Sequence, residues 1–118
     1  MADATSDGRV TLELRGFLAD RLAALGRRRG TRIAVDVPLV DQGVSVGALL
    51  TRLVEADARY GLLFDREACR LPEHVEAVLN DRVLDLQGGL QAELRPGDVL
   101  TFIPAHAGGQ TGSSLNVG

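Results

Sequence analysis

In "RVTLELRGF" the apolar residues Val10, Leu12 and Leu14 alternate with Thr11, Glu13 and Arg15, the period of two that marks a half-buried strand. "TRIAVDVP" repeats the pattern, with Ile33, Val35 and Val37 set against Arg32, Ala34 and Asp36 until Pro38, which has no N–H to extend a ladder. Between the two, "LADRLAALGRRRG" carries Leu18, Leu22 and Leu25 at helical spacing, with Gly26 and Gly30 as stops, so a helical turn or structured loop is expected. The arrangement predicts an antiparallel pair with an enlarged connection.

The period then changes. Behind Ser45, a capping residue, Val46, Leu49, Leu50, Leu53 and Val54 recur at i, i+3, i+4, i+7 and i+8, predicting an amphipathic helix that packs on the sheet and closes at Gly61. "LLFDREACRLPEH" reads as irregular crossing structure with Leu62, Leu63, Phe64 and Leu71 as core anchors. "HVEAVLNDRVLD" predicts a hairpin: a strand from Val75 to Leu79, a turn at Asn80-Asp81, which tolerates left-handed geometry, and a short strand from Arg82 to Leu84. Gly88-Gly89 is expected to be a turn. Pro96 and Gly97 suit the centre of a type II turn that launches "DVLTFIP", where Val99, Thr101 and Ile103 alternate with Leu100 and Phe102. A run apolar on both faces is a central strand. After Pro104 the pattern stops, and "AHAGGQTGSSLNVG" is too small and polar to bury the surface that ordering requires. The expected organisation is a disordered N-terminus over 1–8, one domain over 9–104 and a flexible tail over 105–118.

Composition narrows the chemistry. The chain has 118 residues and allows one domain; three Phe, one Tyr and no Trp leave its core to aliphatic packing. A single cysteine, Cys69, excludes an intramolecular disulfide and a multi-cysteine zinc site; it is expected as a small buried hydrophobe. The polar start "MADATSDG" and the lack of any ~20-residue apolar run argue against a signal peptide and a membrane span, so a cytoplasmic location is expected, with no membrane partner. A net charge of −3 argues against nucleic acid as partner, and the cluster Arg27, Arg28, Arg29 and Arg32 reads as a solvated loop. His74 and His106, the only histidines, have few carboxylate neighbours in sequence and make a poor metal site. No nucleophile-base-acid set or phosphate-cradling glycine loop is present.

The order strand, strand, helix, short strands and a last strand opening on Pro-Gly-Asp resembles the β-grasp, or ubiquitin-like, roll. That implies an α+β fold, a mixed sheet of four to five strands packed on one main helix. More narrowly, "VSVGALLTRL", "VEAVLNDRVL" and "LRPGDVLTFIPAHAGG" resemble the motifs of the MoaD/ThiS sulfur-carrier family, and the resemblance covers roughly residues 9–109. It implies that the carboxylate of Gly109, next to Gly108, is adenylated by a ubiquitin-activating-like adenylyltransferase that consumes ATP. The acyl group then becomes a thiocarboxylate that delivers sulfur to a synthase subunit, with molybdopterin-type assembly the leading route. Such a carrier binds no cofactor and is a protein cosubstrate rather than an enzyme. Six extended residues from Pro104 to Gly109 reach about 20 Å, enough to thread an enclosed active site, and two glycines let its walls approach the backbone. Phe102 and Leu100, read as outer-face residues, together with Pro104 and His106, are the expected partner contacts.

One departure matters. Gly109 is followed by "QTGSSLNVG", so its carbonyl is an amide and not the free carboxylate that adenylation needs. Three accounts are open: a protease, such as a trimming metalloprotease, removes 110–118; the extension was added artificially; or the chain is a non-covalent β-grasp binding or regulatory module. A ubiquitin-like protein modifier is a close variant of the first.

Overall fold

The structure, a computed structural model, describes residues 8–39 and 43–105. Strand β1 (Arg9–Leu14) buries Val10, Leu12 and Leu14 completely, as its alternation requires. After it come a short helix α1 (Phe17–Arg21), a 3-10 turn, β2 (Arg27–Arg29) and β3 (Arg32–Pro38). β1 and β3 pair antiparallel, from Arg9 opposite Pro38 to Leu14 opposite Ile33, so the enlarged connection is as predicted.

The main helix α2 (Val46–Ala56) begins where Ser45 Oγ accepts the Ala48 N–H at 3.1 Å, a cap that offsets one orphan donor of the first turn. Its inward stripe buries Val46, Leu49 and Leu50, with Leu53 and Val54 packed against the same core. The helix ends at Ala56 rather than at Gly61. Asp57 leaves helical geometry, and its carboxylate takes both the Arg59 N–H and the Arg59 guanidinium, at 3.0 and 2.6 Å. Those bonds hold the Asp57 carboxyl below the usual carboxylate range. They also start a separate 3-10 segment, Ala58–Leu62, that contains Gly61. Sequence periodicity cannot detect a side chain that competes for the next N–H.

Leu63 and Phe64 are buried as anchors, with Leu62 and Leu71 partly so. Strands β4 (Val75–Leu79) and β5 (Arg82–Val83) follow, joined by Asn80 and Asp81, both at positive φ. Leu84 starts a 3-10 turn instead of extending β5. Gly88 and Gly89 both turn at positive φ, and Gly97, at φ 92, with the Asp98 N–H donating to the Arg95 C=O, forms the expected turn into β6 (Val99–Pro104).

The sheet order is β2-β3-β1-β6-β4-β5. β6 runs parallel to β1 and antiparallel to β4, the central place its two apolar faces predicted, and α2 covers one side of the sheet. Among the described residues there are six strands. The one beyond the expected five is Arg27–Arg29, which pairs with β3 at the sheet edge instead of forming a loop. All three arginines are exposed, so no apolar alternation marks this strand; Gly30 at φ 63 folds it back onto β3, and charges on an edge strand discourage pairing with another chain. Cys69 also departs from expectation. It is exposed, at φ 55, in the tight loop closed by the Asp65–Arg70 backbone pair, which holds it out of the core. No helix among the described residues is long and apolar enough to cross a membrane.

Candidate functional site: the root of the C-terminal tail

The tail leaves the domain from β6, so that strand's fixing determines where the tail starts. At the beginning of β6, Asn80 makes three bonds, two to Val99 and one to Asp98: its N–H donates to the Val99 C=O, its Oδ1 accepts the Val99 N–H, and its side-chain amide nitrogen donates to Asp98 Oδ1, all at 2.9 Å. Asp98 also accepts the Arg95 N–H at 2.8 Å. The hairpin turn and the Pro-Gly-Asp turn are thereby locked together, and the register of β6 follows.

At the far end, β1 departs first. Arg15 N–H donates to the Phe102 C=O at 3.1 Å, and Gly16 then turns the chain away at φ 61, ψ −141, a region open essentially only to glycine. The other side stays paired for longer, since Val75 lies opposite Pro104 and the Ala105 N–H donates to the His74 C=O at 2.8 Å. Because backbone groups alternate along a strand, Pro104 faces the side that β1 has left, so its missing N–H costs no ladder bond. Its ring instead packs on Gly16, where an added Cβ would sit only 2.7 Å from Pro104 Cγ. Pro104, half-buried, is thus the fixed root of the tail.

Beside this root lies an aromatic pair. Phe17 is 40% exposed, and its ring centroid is 5.8 Å from that of His74, tilted by 44°. The His74 ring is itself tied: Nε2 lies 3.0 Å from the Leu62 C=O, so Nε2 carries the proton and donates.

Two expected partner contacts are corrected. Leu100 and Phe102 are both fully buried. Leu100 lies beside Leu12 and Leu79, and Phe102 beside Leu14 and Ala77, all buried residues facing α2. The outer face of β6 belongs to the other parity, Val99, Thr101 and Ile103. An apolar run on both faces shows that two sets exist, but register with β1 decides which one is inward. Pro104 is half-buried at the end of β6. His106, Gly108 and Gly109 lie outside the described residues. Phe17 and His74 were missed because they meet only through the fold, and neither sits in a motif.

These features define a β-grasp, ubiquitin-like protein whose last strand delivers its C-terminal segment from a fixed point. The ThiS family model matches residues 30–109, and the chain belongs to the ThiS family of ubiquitin-like sulfur-carrier proteins. Among solved structures, the solution structure of the HVO 2177 protein from Haloferax volcanii is 27% identical, covering 86% of this chain and 89% of that one, at a TM-score of 0.56. The crystal structure of SAMP1 from Haloferax volcanii is 23% identical, covering 86% and 100%, at 0.59. The crystal structure of the Amycolatopsis orientalis BexX/CysO complex includes a chain 24% identical, covering 85% and 99%, at 0.52. The last two, below 25% identity, speak for the fold alone. No curated protein matches the sequence.

Proposed function

We propose that this chain is a sulfur carrier that works from Gly109. The observation that supports the reading most is that the family match runs through the last strand and stops at Gly109, five residues beyond a root that Gly16 and His74 hold in place. Hydrolysis of the Gly109-Gln110 amide, by a trimming metalloprotease, frees the carboxylate. A carboxylate oxygen then attacks the α-phosphorus of ATP on a ubiquitin-activating-like adenylyltransferase, and pyrophosphate leaves. A sulfur nucleophile next displaces AMP from the acyl carbon, giving a thiocarboxylate that a synthase subunit consumes. Molybdopterin-type assembly is the leading acceptor. The carrier contributes no acid, base or cofactor to these steps; it supplies a reach of about 20 Å and a domain for the partners to hold.

The modifier reading shares the activation step but ends with a target amine displacing AMP. All 13 basic residues of this chain are arginine, so a modifier of this sequence would join other proteins and not build lysine-linked chains of itself. The alternative outside covalent chemistry is a binding module, for which residues after Gly109 never leave. Intact mass of the protein isolated from its own cells separates the three. A chain ending at Gly109, alone or ~16 Da heavier after oxygen-to-sulfur exchange, supports the carrier. Adducts on other proteins support the modifier, and a population solely of the 118-residue chain refutes both.

A further inference from the structure

We propose that Phe17 and His74 form the ledge on which the enzyme that activates Gly109 seats this protein; the proposal rests on the carrier reading. Three large apolar side chains are exposed among the described residues: Phe17, Val83 and Leu86. Val83 pairs with Val78, toward the end of β4 away from Pro104, and Leu86 follows it in the next turn. Only Phe17 stands at the tail root, one residue after the Gly16 that touches Pro104.

Reach makes the ledge a necessary neighbour of the active site. The six residues from Pro104 to Gly109 reach about 20 Å when fully extended, so an enzyme that encloses Gly109 has its outer wall at the tail root. The ledge is also rigid before contact. His74 holds Ala105 through its C=O, holds Leu62 through Nε2–H, and packs its ring on Phe17. A surface already ordered loses little entropy on docking, and aromatic side chains are enriched at interface cores. In the neutral ring the bond to Leu62 leaves Nδ1 as the acceptor, a point for a partner's N–H or O–H beside the apolar face of Phe17.

The test uses the chain ending at Gly109. Among the described residues its buried core runs from Val10 to Phe102, and the truncation keeps all of it. The adenylyltransferase of the same organism is supplied with ATP, and carrier-dependent ATP–pyrophosphate exchange is followed against carrier concentration. Phe17→Ala is expected to raise the half-saturating concentration about tenfold or more with the maximal rate unchanged, whereas Leu86→Ala overlays the wild type. In a parallel titration of isotope-labelled wild type with the enzyme, amide signals of Gly16, Phe17 and His74 broaden and that of Leu86 does not. This second measurement decides the matter if Phe17→Ala fails to fold. Saturable wild-type exchange with an unshifted Phe17→Ala curve, or with no broadening at the ledge, overturns the ledge and leaves the carrier standing. No exchange by the wild type overturns both.

Discussion

Replacing Gly16 with alanine tests the tail root directly. At φ 61, ψ −141 an L-residue is strained by roughly 1–3 kcal/mol. The new methyl carbon would in addition lie 2.7 Å from Pro104 Cγ, inside contact distance, and the resulting overpacking adds roughly 1–3 kcal/mol. Together the substitution costs roughly 2–6 kcal/mol, which for a domain of this size lowers Tm by about 10–30 °C. Gly30→Ala supplies the control: its φ is 63, but nothing lies within 4 Å of the added Cβ, so only backbone strain of roughly 1–2 kcal/mol applies. Urea and thermal unfolding of both variants measure the difference, which contains the Pro104 contact together with the difference in backbone strain at the two glycines. Backbone amide shifts of Ala105 and His74 should also move in Gly16→Ala and stay put in Gly30→Ala, because only the first displaces the proline. Equal losses in the two variants, with unmoved Ala105 shifts, would refute the claim that Gly16 and Pro104 hold the tail root by contact.

Asn80→Ala removes two side-chain bonds to the start of β6 and places alanine at φ 51; a loss of roughly 2–4 kcal/mol in urea unfolding is expected, and Asn80→Gly should recover only the backbone part. Phe102→Ala should cost roughly 3–5 kcal/mol, since the ring is fully buried; a variant that bound partners poorly at unchanged stability would contradict its core placement. The Arg59 side-chain and backbone bonds depress the Asp57 pKa below 3.8, so their contribution is complete above the unfolded value and lost as pH falls through the depressed one. Asp57→Asn should therefore flatten the acid limb of the stability-versus-pH profile below about pH 4, and an unchanged limb would show that the Asp57–Arg59 contact adds nothing to folding.

How far the chain could be read without coordinates depends on whether the deciding force is local. β1, β3 and the start of α2 were legible because one face of each meets the core, and burial writes itself into periods of 2 and 3.6. The turns at Asn80-Asp81 and Pro96-Gly97 were legible because only certain residues tolerate φ > 0. β2 was not, since an edge strand of three exposed arginines buries nothing and its hydrogen bonds depend on β3 alone. Nor was the true end of α2, which Asp57 and Arg59 set between themselves.

The site divides the same way. By itself the sequence determined that a Gly-Gly pair follows a central strand by a few residues, and that Gly109 is joined to Gln110 by an amide; both are statements about covalent order. Only tertiary structure decided which side chains surround the tail root. Register with β1 turned Leu100 and Phe102 inward, and the pairing of β4 with β6 brought His74, distant in sequence, against Phe17 and Ala105. Local propensity acts over a few neighbours along the chain, whereas a surface is assembled from residues that long-range pairing makes adjacent.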